Sequence, residues 1–428
     1  MSDLSEFPIV QLEDAVDVLD HLRVPVNGAE RLGRIGIVPY YGANGLQGWI
    51  DKPLFDEPLI LLAEDGGNFD DFANRPIAYR IEGPSWVNNH AHIIRAKAGI
   101  CQSFIFWSLV NKDIRRFIAG GTRTKLTQGE LRRIEISLPD RNAQQAIGQI
   151  LDTLDTAIRE TEALIDKLKA VKQGLLHDLL TRGIDANGQL RLPQSEAPQL
   201  YKESPLGWIP REWDVSTVGD EFEIRLGKML DSQKNSGAMR PYVGNKAVQW
   251  DRIDLNEVQQ VALSISDMER FRLKPGDLLV CEGGDVGRAA IWEGQLDECY
   301  YQKALHRLRP VNGFSARLML ELLRYWMGRD VLFEYISKTS IAHFTQEKFA
   351  SVPLPVPSID EQNRLVSVVL AHKQRQEQEE DTLGKLMEEK NGLMDDLLTG
   401  RVRVTPLLES VQQASTPIAQ QPVAQTEA

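Results

Sequence analysis

The chain has 428 residues, of which 42% are hydrophobic and 26% charged, and it carries a net charge of −12. That length allows two or three domains with their own cores, and the composition is ordinary for a globular protein. No run approaches the roughly 18 apolar residues of a membrane span, the opening "MSDLSEF" lacks an apolar signal core, and three cysteines without CxxC spacing argue against a disulfide framework or a zinc site, so a cytoplasmic protein is expected.

In chain order, "LILLA" (59–63) and "AYRI" (78–81) read as short strands broken by Gly- and Asn-rich turns. "CQSFIFWSLVNKDIRRFIA" (101–119) reads as a helix. A basic stretch overlaps it: Lys112, Arg115, Arg116, Arg123, Lys125, Arg132 and Arg133 stand against only Asp113 and Glu130. From Ile147 a four–three step lands on Leu151, Leu154, Ile158, Thr161, Ile165, Leu168, Lys172, Leu175 and Leu179, the seam of a long helix. Pro139, Asp140 and Asn142 supply its start and Gly183 its stop. Residues 182–211, with four prolines, read as a linker. "DLLVC" (277–281) and "HRLRP" (306–310) are then strands and 315–336 a helix. A second seam follows on Leu365, Val369, His372, Gln376, Glu379, Leu383, Leu386, Lys390, Leu393 and Leu397. The tail from about Thr405 has the composition of a disordered segment.

The second half rewrites the first. "GLLHDLLTRG" (174–183) returns as "GLMDDLLTGR" (392–401), and "TQGELRRIEISLP" (127–139) falls without a gap on "TQEKFASVPLPVP" (345–357). Gln144 meets Gln362 in the same register. Upstream the match continues with a drifting shift: "NHAHIIR" (89–95) on "KALHRLR" (303–309), "DGGNFDD" (65–71) on "EGGDVGR" (282–288), and "PYYGAN" (39–44) on "PYVGNK" (241–246). A variable unit whose length drifts is loop-rich, and loops are where binding specificity usually sits. The boundaries read as a first domain at 1–139, a helix at 140–181, the linker at 182–211, a second domain at 212–357, a helix at 358–399 and a terminal segment at 400–428. The fold expected is α+β: two α/β domains separated by two long helices that form an antiparallel coiled coil, an internal repeat with pseudo-two-fold symmetry. Antiparallel packing is favoured because a short linker then suffices, and it would put the domains at opposite ends. The seam residues that would make the contact are Leu151, Leu154, Ile158, Ile165, Leu168, Leu383, Leu386 and Leu393.

This repeat, with "LP" before each long helix and "LLT" at each end, resembles the specificity subunit of type I restriction-modification systems. "PYYGANG", "LLAEDGG" and "WVNNHAHIIR" resemble runs in that family's target recognition domains, and the likeness covers about residues 1–403. The resemblance implies that each domain contacts one half of a split double-stranded DNA sequence, while the helices set the unread spacer. It also implies docking of two modification (methyltransferase) subunits, which carry S-adenosylmethionine, and of restriction (motor-nuclease) subunits, which use ATP and Mg. No membrane partner is implied.

The chain itself would be non-catalytic and hold no cofactor. It lacks an "NPPY"-type motif, a P-loop and a helicase signature, and Gly284 stands where a nuclease-like strand "PGDLLVCEGG" would need lysine. No metal site is expected: "EDGGNFDD" reads as a polar turn, and His90 and His92 lack an evident third ligand. Donors and positive charge near the variable loops are the candidate DNA contacts. These are Tyr41, Asn44, Asn88, His90, Arg116, Arg123 and Lys125 in the first domain. In the second they are Tyr242, Asn245, Lys246, Lys303, Lys338 and His343. Arg116 and Arg123 are assigned to phosphates, and "GGTRTKLT" (120–127) is the strongest local candidate. A competing expectation, drawn from the acidic total, is a protein-binding coiled-coil adaptor that reads no DNA sequence.

Overall fold

The structure is a computed structural model that describes residues 7–119, 124–231, 235–329, 331–338 and 342–404. The chain divides into two compact units, Met1–Ala163 with Asp381–Ala428, and Leu164–Glu380. Each unit holds one α+β domain and one piece of each long helix.

In the first unit the strand order is Val16–Val18, Ala91–Ala96, Leu59–Ala63, Ala78–Ile81, all antiparallel. "LILLA" is the central apolar strand and is wholly buried. A second sheet joins Val38–Gly42 to Gly45–Ile50 by a hairpin and to Pro84–Val87 in parallel. Helix Gln102–Leu109 covers the main sheet with Phe104, Ile105 and Trp107. This helix is shorter than the sequence reading. After Leu109 the Asn111 side chain bonds the Phe72 and Ala73 carbonyls, and a 3-10 turn and a strand follow.

The second unit repeats the plan. Its main sheet runs Phe222–Leu226, Leu305–Pro310, Asp277–Cys281, Ala289–Trp292, and Ala316–Met327 packs against it until Gly328 ends that helix. Each domain is closed the same way, with its entry strand paired to the strand just before the long helix. Ile9–Gln11 pairs with Glu135–Ser137, and Asp214–Thr217 with Pro353–Val356.

The long helices are Arg141–Thr181 and Ile359–Thr399. A buried glutamine ties each start to its own domain. Gln144 donates to the Pro139 carbonyl at 2.7 Å and accepts from the Cys101 N–H at 3.0 Å. Gln362 does the same with Pro357 at 3.0 Å and Ser315 at 2.8 Å. One side chain thus satisfies groups that a helix start and a neighbouring helix would otherwise leave orphaned, which accounts for its presence in both copies.

Within each unit the helix pieces pack antiparallel. In the first, Lys390 pairs with Asp155 at 2.8 Å, and Gly400 lies against the Phe7 ring, beside the strands that lead into the first helix. In the second, Lys172 and Lys373 line one cavity, while Glu361 reaches the Ile184 N–H at 2.8 Å. Leu151, Ile158, Ile165, Leu365, Val369 and Leu397 are buried. Leu154, Leu168, Leu383, Leu386 and Leu393 are half-buried, as are the polar seam positions His372, Gln376 and Glu379.

The 182–211 stretch is no slack tether. It forms the hairpin Tyr201–Ser204/Gly207–Pro210 and buries Arg191, Ala197, Tyr201 and Ile209. No helix of the described residues is long and apolar enough to cross a membrane. The tail assigned to disorder lies, from residue 405 on, outside the described residues.

Candidate nucleic-acid interface

The variable loops of the first domain meet at one end of the two central strands of its main sheet, past Ala63 and before Ala91. The Asn44 amide donates to the Gly66 carbonyl at 2.8 Å. Glu64 N–H bonds the His90 carbonyl at 2.9 Å, and Leu126 N–H bonds the Glu64 carbonyl at 2.8 Å. Asp65 bridges to Lys125 through the backbone and takes the His90 Nδ1 at 2.7 Å. The Lys125 ammonium lies 2.9 Å from Glu64. Four segments far apart in sequence are thereby held as one latch.

The second domain builds the latch again. Asn245 donates to the Gly283 carbonyl at 3.0 Å. Glu282 N–H bonds Ala304 at 2.9 Å, Phe344 N–H bonds Glu282 at 2.9 Å, and Gly283 bridges to His343. Under both latches lies a buried histidine. His92 Nε2 is 2.8 Å from the Leu126 carbonyl, and His306 Nε2 is 2.6 Å from that of Phe344. Each ring pins the strand that returns towards the long helix.

The two histidines differ at the other nitrogen. His92 Nδ1 faces the Asp20 carboxylate at 2.6 Å. Burial alone would raise the Asp20 carboxyl, but His92, the Ile93 N–H and Arg23 carry it below the usual carboxylate value. His306 Nδ1 has no hydrogen-bond partner among the described residues, and burial pushes its ring down to about 4 against the opposing pull of the Phe344 carbonyl. Asp20, Glu64 and His92 bring their ligand atoms within 4.8 Å of one another. Arg23 lies 2.6 Å from Glu64 and 3.5 Å from Asp20, so with Lys125 the cluster is a charge-balanced salt-bridge network. Cys281 and Cys299 are buried, which raises them to about 11 and about 12 and keeps them as inert thiols.

The candidate contacts fall into three groups. Asn44, Lys125, Arg116, Lys246, Lys303 and His343 are exposed. Tyr41, His90 and Asn245 are half-buried, with the Tyr41 ring 6.1 Å from Tyr79. Asn88 and Tyr242 are buried and committed internally: Asn88 bonds Gln47 and the His90 N–H, and the Tyr242 hydroxyl bonds Gln259 at 2.7 Å. Arg116 pairs with Glu135, and Arg115 with Asp113, so much of the basic stretch is neutralised locally. Arg123, with the first half of "GGTRTKLT" (120–123), lies outside the described residues, as does the Lys338 side chain. The described strands that flank these two regions pair alike, Ile118–Ala119 with Lys125–Leu126 and Ser337–Lys338 with Ala342–His343. Sequence reasoning missed Asp20, Arg23 and Glu64 as the setting of His92, since nothing in their spacing marks them.

The arrangement offers two sets of loop donors on rigid sheets. Comparison with known proteins places the chain in a family. A family model described as the type I restriction modification DNA specificity domain matches residues 8–170 and 210–385. The chain is 26% identical over 369 residues to a putative type I restriction enzyme specificity subunit of Haemophilus influenzae, covering 85% of this chain and 87% of that protein. It is 22% identical over 290 residues to the type I restriction enzyme MjaVIII specificity subunit of Methanocaldococcus jannaschii, covering 64% and 63%. A solved S subunit of a type I restriction-modification system from M. genitalium superposes with a TM-score of 0.60 at 15% identity, over 93% of this chain and 97% of that one, a likeness of fold.

Proposed function

The chain belongs to the family of type I restriction modification DNA specificity domains, and from that premise we propose how its parts work. It is a type I restriction-modification specificity subunit with two target recognition domains. In this reading each domain reads one half of a bipartite duplex through the loops of its latch. The helix pair sets the unread spacer and docks two modification subunits, with restriction subunits completing the assembly. S-adenosylmethionine would sit on the modification subunits, and ATP and Mg on the restriction subunits, so this chain selects the site and performs no chemistry.

One observation carries the reading. The same latch is built twice, and each copy leads through one short helix and one strand into a helix of 41 residues. Duplicated readers joined to equal rods suit a regular polymer, where reader spacing fixes half-site spacing. Selection from random duplexes with the modification subunit present is expected to enrich two short conserved blocks separated by a constant gap. Absence of any enrichment would favour the adaptor.

The rods give a second expected result. Removing Ala157–Ala163 together with Thr382–Glu388, beside the Asp155–Lys390 pair, keeps the heptad phase. Seven residues fewer shorten each helix by about 10 Å, so the gap should contract by about three base pairs. Reselection measures this, and an unchanged gap would refute the spacer role while leaving recognition intact.

A further inference from the structure

The second recognition domain contains a helix with no counterpart in the first. Between the strand that pairs antiparallel with Ala238–Val243 and the central strand Asp277–Cys281 lies Ile265–Phe271, followed by Arg272 and Lys274. The first domain spans the matching interval, residues 51–58, without a helix.

This insertion forms one wall of a groove whose other wall is the sheet edge. Six cations line it, Arg225, Arg270, Arg272, Lys274, Arg307 and Arg309, against three carboxylates, Glu223, Glu269 and Glu298. Its volume is 380 Å³, and it runs on through the shared Glu223, Arg225 and Arg270 into a second groove lined by Lys228 and Lys303 with Asp231 and Asp267, where Lys228 pairs with Asp267 at 2.8 Å. Lys303 precedes Ala304, the residue the latch holds. The basic groove therefore opens, through a mixed-charge groove that ends at Lys303, towards the reading loops, in a protein whose total charge is negative.

Arg307 is the second observation. Its side chain is 2% exposed, with Nη2 2.7 Å from Glu223, yet its Nε finds no hydrogen-bond acceptor among the described residues. A buried guanidinium N–H without an acceptor is costly, and an anion in the groove would satisfy it. The repeat shows what the first domain has instead. Ile93 stands at the place of Arg307, while Arg95 and Arg309 match in being held by carboxylates of their own domains, Arg95 by Glu57 at 3.0 Å and Asp17 at 3.4 Å and Arg309 by Asp277 at 2.7 Å, so Arg307 is what the second domain adds on this strand.

We propose that this groove is a phosphodiester site, which grips backbone phosphates of the duplex that the second domain reads. The inference rests on the DNA-reading function above. It makes the two readers unequal: the second adds a basic groove that has no counterpart among the described residues of the first.

The test uses the full chain with its modification subunit, on the duplex that the unaltered protein selects. Arg270 and Lys274 are exposed, so the Arg270→Gln/Lys274→Gln pair tests charge with little risk to the fold. Expected are a salt dependence shallower by about two in log–log slope, an affinity lower by about tenfold at low salt, and an unchanged selected sequence. The charge-preserving pair Arg270→Lys/Lys274→Arg should restore both slope and affinity. Unchanged slope and affinity, with selection of a split site intact, would overturn the groove alone. Weaker capture of the modification subunit at constant slope would reassign it to protein docking and overturn it too. If the unaltered protein selects no site, the reading function and the groove fall together.

Discussion

Glu361→Ala is expected to destabilise the second unit by about 3–5 kcal/mol, the usual cost of stranding one partner of a buried ion pair. Glu361 is 3% exposed and Arg191 8%. Arg191 Nη1 lies 2.5 Å from Glu361 Oε1 and Nη2 3.0 Å from Oε2, a two-pronged pairing that Glu212 extends at 2.7 Å. The same carboxylate takes the Ile184 N–H just past the end of the first long helix. One side chain at the start of the second helix therefore fastens the end of the first and the segment after it.

The junction leaves no slack. Gly183 has φ +65°, and a Cβ there would overlap the Glu361 carboxylate, the Arg191 guanidinium and the Trp213 ring. Glycine both ends the helix and admits the ion pair. Denaturant unfolding of the full chain, read with hydrogen exchange at residues 184–213, measures the loss. The Glu361→Leu/Arg191→Met pair should recover most of it, because an apolar pair leaves no buried charge. A single Glu361→Ala variant within about 1 kcal/mol of the unaltered protein would show that the pair holds nothing.

What could be read from the sequence followed from periodicity and from the repeat. The four–three seam and the "LP" and "LLT" punctuation located both long helices, and the runs "LILLA", "AYRI" and "DLLVC" coincide with strands at 59–63, 78–81 and 277–281. Such signals are local, so one sequence carries them. Long-range partnership is not local. Arg191 and Glu361 stand 170 residues apart, and Asp20 and His92 72 apart, with no spacing rule between them. The basic stretch at 112–133 looked like an open patch because two of its partners lie outside that window, Glu135 just beyond its end and Glu64 far upstream in sequence. The basic groove escaped notice for the converse reason. Its cations come from three separated segments, none dense enough to stand out.

The buried histidines show how a repeat can keep geometry while changing chemistry, and this leads to an acid response confined to one domain. His306 is fully buried, with an ordinary unfolded value near 6.5 and a folded value of about 4. Between those values the unfolded chain binds a proton that the folded domain refuses. Stability is therefore complete above pH 6.5 and declines as pH falls towards 4, by about 2 kcal/mol at pH 5 and about 3 kcal/mol in all. Asp20, the partner of His92, has the same sign but a lower window. Its folded value is lowered, so its contribution persists above the ordinary carboxylate range and fades only below it. Lowering the pH from 7.5 to 5 should thus loosen the latch at Phe344, beside His343, before the latch at Leu126. His306→Gln keeps an N–H for the Phe344 carbonyl and removes the titration. Its denaturation midpoint should change less over that pH interval than the unaltered protein's, with the difference concentrated in exchange of the 282–284 and 342–346 amides. Identical pH profiles for the two proteins would mean that the ring at 306 takes up its proton without strain, and the proposed inequality between the latches would be lost.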